Sequence, residues 1–146
     1  MIVTERNYNA YINFVCPGCW NTLDECSCVT FPPYDLIFID RNIQEHIRIL
    51  NEKGYMTGGC CESHYKNGMC GNMHIVFYKN YGFGKTIPLP DGFKYDKKYT
   101  AIIFNYKQKT TEDEMMVIKE RKLNELLSWC KSLPSIRFSR SEREGE

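Results

Sequence analysis

The sequence predicts an α+β fold, in which two helices cover one face of a small, mainly antiparallel sheet. Three observations predict this class: short segments of β-branched and aromatic residues, two amphipathic segments with capping signals, and a cysteine-rich stretch near the N-terminus. In chain order these features give strand, cysteine knuckle, helix, three strands and helix. Because consecutive strands separate the helices, we expect the helices to form a layer over an antiparallel sheet.

Strand character is found in four segments. Residues 8–15 alternate between two faces and lead into the first cysteines. Residues 73–79 and 99–107 are rich in strong β-formers, and residues 55–57 begin a further strand that enters a glycine and cysteine turn. Glycines and prolines over residues 80–93 predict a long loop.

Helix character is found in two segments, each with a signal at both ends. The first covers residues 41–53, with Asp40 as its N-cap and Gly54 as the residue that ends it. The second begins at a capping box over residues 111–114 and ends near Leu133, where the following proline stops it. We expect its leucine-rich stripe to pack on the sheet.

The first cysteine cluster consists of Cys16, Cys19, Cys26 and Cys28. A Cys-Pro-Gly-Cys pair is typical of a zinc knuckle, because two intervening residues let both thiolates point at one ion. The Cys-Ser-Cys pair is a less common ligand spacing, but four thiolates suit a closed tetrahedral Zn²⁺ site. The alternatives are disulfides, which need an oxidising compartment, and a redox pair, which needs a following helix that the short acidic segment does not supply.

The second cluster follows a Gly-Gly turn and contains Cys60, Cys61, His64 and Cys70. Adjacent cysteines project in different directions, so the predicted second metal site uses Cys61, His64 and Cys70, with His74 or water as the fourth ligand. An open fourth position would allow catalysis. The alternative is that Cys60 is a small buried apolar residue and His64 a hydrogen-bonded turn residue.

These elements predict one domain over residues 1–134, which includes a zinc knuckle over residues 14–30. A charged, flexible tail is expected over residues 135–146. No apolar run approaches the roughly 20 residues that span a bilayer, and the N-terminus lacks an export signal. We therefore expect a cytoplasmic protein with no membrane association.

Residues 43–64 contain Leu50-Asn51, Lys53-Gly54-Tyr55, Cys60-Cys61 and His64 in close succession. This stretch resembles a family of small, mostly uncharacterised proteins of Firmicute bacteria and their phages. That family has a helix ending in Leu-Asn-x-Lys-Gly-Tyr, then a threonine, a Cys-Cys-Ser-Gly-His turn and a C-terminal helix ending in a tryptophan and Leu-Pro. Here Glu62 and Ser63 stand where the family has Ser-Gly. The matching residues are Leu50, Asn51, Lys53, Gly54, Tyr55, Thr57, Cys60, Cys61, His64, Trp129, Leu133 and Pro134.

The resemblance implies a protein of a bacterial cell or an infected bacterial host. One concrete role that it implies is a phage-encoded inhibitor of a bacterial defence system, of the anti-CRISPR kind, acting through contacts with a protein partner. A weaker similarity of fold is with the wybutosine-synthesising tRNA enzymes, which place a Cys-Ser-Gly-Arg turn after a similar helix and strand. Here His64 stands where those enzymes have the arginine.

Charge is distributed unevenly along the chain, although the formal net charge is only +1. Residues 1–40 carry a net charge of −4, and residues 62–110 carry +5 together with ten of the twenty aromatic residues. Interleaved lysines and aromatic rings are typical of surfaces that bind single-stranded nucleic acid. The alternative is a strand face packed into the core with its lysines in solvent.

Three functions stay open from the sequence. The first is a zinc-stabilised, non-enzymatic binding protein that contacts a protein partner through Lys79, Tyr81, Phe83 and Lys85 in an exposed loop. The second is a nucleic-acid or nucleotide binding protein that uses the basic, aromatic segment 62–110. The third is a small metal-dependent or Cys/His-dependent enzyme at Cys61 and His64. No other catalytic motif is found, so we assign no catalytic residues and favour a protein that is not an enzyme.

Overall fold

A computed structural model describes residues 12–16, residue 21 and residues 37–136. Strand β1 (Ile12–Val15) pairs antiparallel with β2 (Ile37–Asp40), so that Ile12 lies opposite Asp40. Strand β1 is the end of the strand predicted over residues 8–15. Most of the predicted knuckle over residues 14–30 and most of the predicted tail over 135–146 lie outside the described residues.

The first helix begins with a 3-10 turn (Arg41–Ile43) that continues into α1 (Gln44–Glu52). Asp40 stands at the N-cap position, as predicted, but its side chain makes no capping hydrogen bond. The carboxylate of Glu62 accepts a hydrogen bond from the Asn42 amide instead, over 2.9 Å. A distant acid therefore satisfies an amide of the first turn, and the Asp40 side chain is left to make other contacts.

Four strands form the central sheet: β3 (Thr57–Cys61), β6 (Met73–Phe77), β7 (Phe93–Asp96) and β8 (Ala101–Phe104). Their order is β3-β6-β8-β7, and every neighbouring pair is antiparallel, which confirms the predicted α+β class. A separate short hairpin is formed by β4 (Tyr65–Lys66) and β5 (Met69–Cys70). The sequence did not reveal β7, which begins at the end of the loop predicted over residues 80–93, or the hairpin, whose two-residue strands are too short to show periodicity.

The side chains of the central strand β6 alternate between the two faces of this sheet. Met73, Ile75 and Phe77 are fully buried in the main hydrophobic core, whereas the intervening residues are half-buried. Successive side chains of a strand point to opposite faces, so His74 lies on the face away from this core. Cys61 is the direct partner of His74 in the antiparallel register, and it therefore shares that face.

Helix α2 (Glu112–Ser132) covers the core side of the sheet together with α1. Its capping box is present as predicted: Thr111 accepts from the Glu114 amide, and Glu114 accepts from the Thr111 amide. Leu126 and Cys130 are completely buried. His46 joins the two helices, because its Nε2 donates to the Leu123 carbonyl over 2.7 Å. None of the described helices is long and apolar enough to cross a membrane.

The loop between β6 and β7 differs from the expectation. Phe83 is only 1% exposed, and Tyr81 is half-buried beside Tyr55 and Phe77. The prediction that these two aromatic rings form an exposed contact surface is therefore wrong for Phe83, and Tyr81 is largely a core residue. The physical reason is that the loop folds back onto the sheet. Lys79 and Lys85 are exposed, as predicted.

Candidate metal site

Three potential metal ligands of different chemistry meet where β2 and β3 end. Asp40 is the last residue of β2, Cys61 is the last residue of β3, and His64 follows in the turn. One carboxylate oxygen, one sulfur and one ring nitrogen all lie within 4.8 Å of one another. Asp40 is buried, whereas Cys61 and His64 are half-buried, so the group lies close to the surface.

Asp40 accepts hydrogen bonds from two residues of the turn after β3. Its Oδ2 accepts a hydrogen bond from His64 Nε2 over 2.9 Å and another from the Glu62 amide over 3.0 Å. Burial alone would raise the pKa of the carboxyl, but the hydrogen bonds from His64 and Glu62 outweigh it and hold that pKa below its usual value. Asp40 is therefore ionised at neutral pH and offers an anionic oxygen.

The His64 ring forms hydrogen bonds with both Asp40 and Cys61. The hydrogen bond with Asp40, and then that with Cys61, raise the pKa of the ring to about 10, although burial acts in the opposite direction. At neutral pH the ring carries a proton when only these partners are present. A metal ion must displace that proton, because zinc binds the neutral ring.

A buried network fixes the turn that carries His64. Glu62 is completely buried, and its Oε2 lies 2.6 Å from Lys119 Nζ on α2. The same Lys119 amine donates to the Ser63 carbonyl over 2.9 Å. Tyr106 donates to the Ser63 hydroxyl over 3.1 Å. The turn between Cys61 and His64 is thus anchored from α2, from the chain after β8 and from the 3-10 turn before α1, where Asn42 donates to Glu62.

Ser63 itself adopts a left-handed conformation, with φ of 89°. Glycine enters this region freely, and serine does so at a cost in conformational energy. In this chain the hydrogen bonds to the hydroxyl and the carbonyl of Ser63 offset the strain.

An acid, an imidazole and a thiol can also form a nucleophilic triad. In a triad the acid and the nucleophile contact opposite nitrogen atoms of the ring, so the ring lies between them. Here the donor atoms of Asp40, Cys61 and His64 all lie within 4.8 Å of one another, so they converge on one point. Tetrahedral zinc with bonds of about 2.0–2.3 Å keeps its ligand atoms roughly 3.3–3.8 Å apart. Three donor atoms this close together could hold a metal ion.

Only part of the predicted second metal site is found in this group. Cys61 and His64 are present, but Cys70 is not: its thiol donates to the Thr110 carbonyl over 3.6 Å. Cys70 lies in β5, and the β4–β5 hairpin carries it away from Cys61. Cys60 packs against the core, and burial raises the pKa of its thiol to about 12, as suits an inert apolar role.

Asp40 is the potential ligand that the sequence did not reveal. It lies 21 positions before Cys61, and its place before a helix suggested a capping role. Only the contact between β2 and β3 brings it to His64. No spacing rule links a strand end to a turn so far along the chain, so the local sequence contains no signal for this pairing.

The first predicted metal site lies largely outside the described residues. Cys16 is buried, and its amide donates to the Asn21 carbonyl over 2.9 Å. Cys19, Cys26 and Cys28 are not among the described residues.

A basic groove of about 630 Å³ lies between α2 and the chain after β8. Lys107, Lys109 and Arg121 line it, with the ring of Tyr106 at one side. Lys122 also lines the groove, but it is buried and paired with neighbouring acidic residues. Tyr106 connects the groove to the metal site through its hydrogen bond to Ser63.

The chain matches no protein-family model, no curated protein and no solved structure. Its resemblance to Firmicute and phage proteins therefore stays a prediction. The class that the fold and the site define is a small α+β protein with a half-buried group of carboxylate, thiol and imidazole that could hold a metal ion.

Proposed function

We propose that the protein is a zinc-stabilised binding protein in which Asp40, Cys61 and His64 hold Zn²⁺. The observation that carries this proposal is the convergence of three donor atoms within 4.8 Å of one another. Zinc is the metal that the donor set favours, because it binds sulfur, nitrogen and oxygen ligands together in tetrahedral sites. Calcium and magnesium favour sites made of oxygen atoms alone.

The role proposed for this ion is structural support. It would join the end of β2 to the end of β3 at the start of the helical layer, where Asp40 and Cys61 belong to different sheets. A second zinc in the predicted Cys16, Cys19, Cys26 and Cys28 knuckle would support the N-terminal part. Such sites contribute directly to folding free energy, because the unfolded chain has no preformed site. We also propose that this zinc-stabilised protein binds the partner that the resemblance implies, which is a protein component of a bacterial defence system.

Metal content of the purified protein tests the zinc proposal. We expect two equivalents of zinc in the wild type, one in Cys61→Ser and one in Cys16→Ser. Cys130→Ser is the matched control, because Cys130 is buried in the core and should leave the metal content unchanged. A wild type whose zinc is unaffected by Cys61→Ser would overturn the assignment of this group.

A second candidate function is nucleotide or nucleic-acid binding, and the basic groove is the observation that favours it. The groove is lined by four cationic residues, one acid and two aromatic residues, and cations beside aromatic residues are typical of sites that bind nucleic acid by charge neutralisation and stacking. These residues are Lys107, Lys109, Arg121, Lys122, Glu114, Phe104 and Tyr106. The sequence assigned nucleic-acid binding to the whole basic, aromatic segment 62–110. Within that segment Lys107 and Lys109 line the groove, whereas Lys79 and Lys85 do not.

Binding of a labelled single-stranded oligonucleotide at several salt concentrations tests this candidate. We expect a Lys107→Ala/Lys109→Ala variant to bind more weakly. The slope of log affinity against log salt concentration should also become shallower, by the amount that corresponds to about one to two lost phosphate contacts. Lys79→Ala/Lys85→Ala removes the same charge from another surface and is the matched control. Absence of binding at low salt, or equal losses in both variants, would reject the groove.

A further inference from the structure

His74 lies opposite Cys61 in the central sheet. In the antiparallel pair of β3 and β6, Cys61 and His74 are direct partners. Direct partners project their side chains from the same face, with Cβ atoms about 4.5–5.5 Å apart. The alternation of β6 points Met73 and Ile75 into the core, which leaves His74 beside Cys61 on the other face.

A hydrogen bond sets the tautomer of His74. Its Nδ1 lies 2.6 Å from the side-chain oxygen of Asn72. An amide oxygen only accepts hydrogen bonds, so Nδ1 carries the proton and Nε2 keeps its lone pair. Histidine ligands of metals have this arrangement, in which one ring nitrogen donates to an oxygen and the other binds the ion. His74 is therefore prepared to bind a metal through Nε2.

We propose that His74 is the fourth ligand of the zinc ion and closes a tetrahedral site of one carboxylate, one thiolate and two imidazoles. This inference rests on the proposed zinc site at Asp40, Cys61 and His64. His74 is outside the group of atoms that lie within 4.8 Å of one another, so the proposal requires its ring to move toward Cys61 when the ion binds.

A fourth protein ligand decides what kind of site this is. Catalytic zinc keeps one position for water, whereas structural zinc has four protein ligands. With His74 bound, no position is left for a reacting water molecule, and the ion also joins the central strand β6 to the ends of β2 and β3. The site is then structural, and the Cys61 thiolate is bound to the metal and does not act as a nucleophile.

Cobalt substitution measures the coordination number directly. The full chain, freed of metal by a chelator and loaded with Co²⁺, should show the strong visible bands of a four-coordinate site. We expect His74→Ala to weaken and shift these bands and to lower zinc affinity at least tenfold, and Asn72→Ala to lower it about 10- to 100-fold through the tautomer. Cys70→Ser is the matched control and should leave the bands and the affinity unchanged.

His74→Cys covers the case in which His74→Ala does not fold. A second thiolate should keep four-coordination and add sulfur-to-cobalt charge-transfer absorption, which a residue outside the coordination sphere would not change. The inference is overturned if His74→Ala and His74→Cys leave the bands and the affinity as in the wild type. A different result would overturn the proposed zinc site itself, namely that Cys61→Ser binds as much Co²⁺ as the wild type.

Discussion

The carboxylate of Asp40 accepts a hydrogen bond from the ring of His64 over 2.9 Å, across 24 positions of sequence. This contact connects the N-terminal pair of strands to the turn after β3. It keeps the Asp40 carboxylate ionised and favours the protonated form of the His64 ring.

Asp40→Asn should remove the anionic ligand while keeping the size of the side chain. We expect zinc affinity to fall by at least tenfold, and the pKa of His64 to drop toward its ordinary value, since the hydrogen bond with Asp40 is the largest cause of its increase. Competition with a chromophoric chelator measures the first effect, and NMR titration of the chelator-treated protein measures the second. Glu45→Gln, an acid on α1 paired with Arg48, is the control and should change neither quantity.

The pH dependence of stability without metal should reflect the same pair. The pKa of His64 is raised to about 10 in the folded chain, so its contribution is complete below about 6.5 and is lost as the pH rises through about 10. The pKa of Asp40 is lowered, so its contribution is present above about 3.8 and is lost at lower pH. Urea unfolding in the presence of a chelator should therefore show a loss of stability between pH 6.5 and 10 that His64→Gln reduces. An unchanged profile in that variant would contradict the pKa assignment.

Zinc binding should have the opposite dependence on pH over the neutral range. The ion displaces the proton from His64 and from the Cys61 thiol, so affinity should rise with pH and binding should release protons. Calorimetry in two buffers of different ionisation enthalpy measures the number of protons released. Binding that releases none would exclude His64 and Cys61 as ligands.

Removal of one partner from the buried ion pair of Glu62 and Lys119 should lower the stability of the folded chain. We expect Lys119→Met to destabilise the chain by about 3–5 kcal/mol, because it leaves the buried Glu62 carboxylate without its cation. Lys119→Met combined with Glu62→Gln should recover part of this loss, since no buried charge is then left unpaired. Urea unfolding measures both variants, with the exposed Glu120→Gln as control. Equal losses in the single and double variants would mean that the pair does not interact.

Phe83 should behave as a core residue and not as a contact residue. We expect Phe83→Ala to cost about 3–5 kcal/mol of stability, because its ring is 1% exposed and packs against Phe77 and Trp129. Tyr78→Ala, which removes a ring that is 71% exposed, should change stability by no more than about 0.5 kcal/mol. Thermal unfolding of the two variants separates these outcomes.

The sequence by itself determined the fold class, because its signals are local. The capping box at Thr111, the glycine after α1 and the run of β-formers around Ile75 each depend on neighbouring residues only. The same local chemistry indicated Cys130 as a core residue, and the structure buries it. It also indicated Cys61 and His64 as metal ligands, and the structure places both in a group that could hold a metal ion. Periodicity and capping are short-range properties, and a single sequence displays them directly.

Only the tertiary structure decided which residues meet. It replaced Cys70 with Asp40 in the metal group, transferred the capping of the first helix from Asp40 to Glu62, and placed His74 opposite Cys61. It also buried Phe83, although its glycine-rich loop gave no apolar pattern. Each of these outcomes depends on the register between strands and on the packing of one element against another. Those relationships are set by contacts between residues far apart in the chain, and local spacing does not encode them.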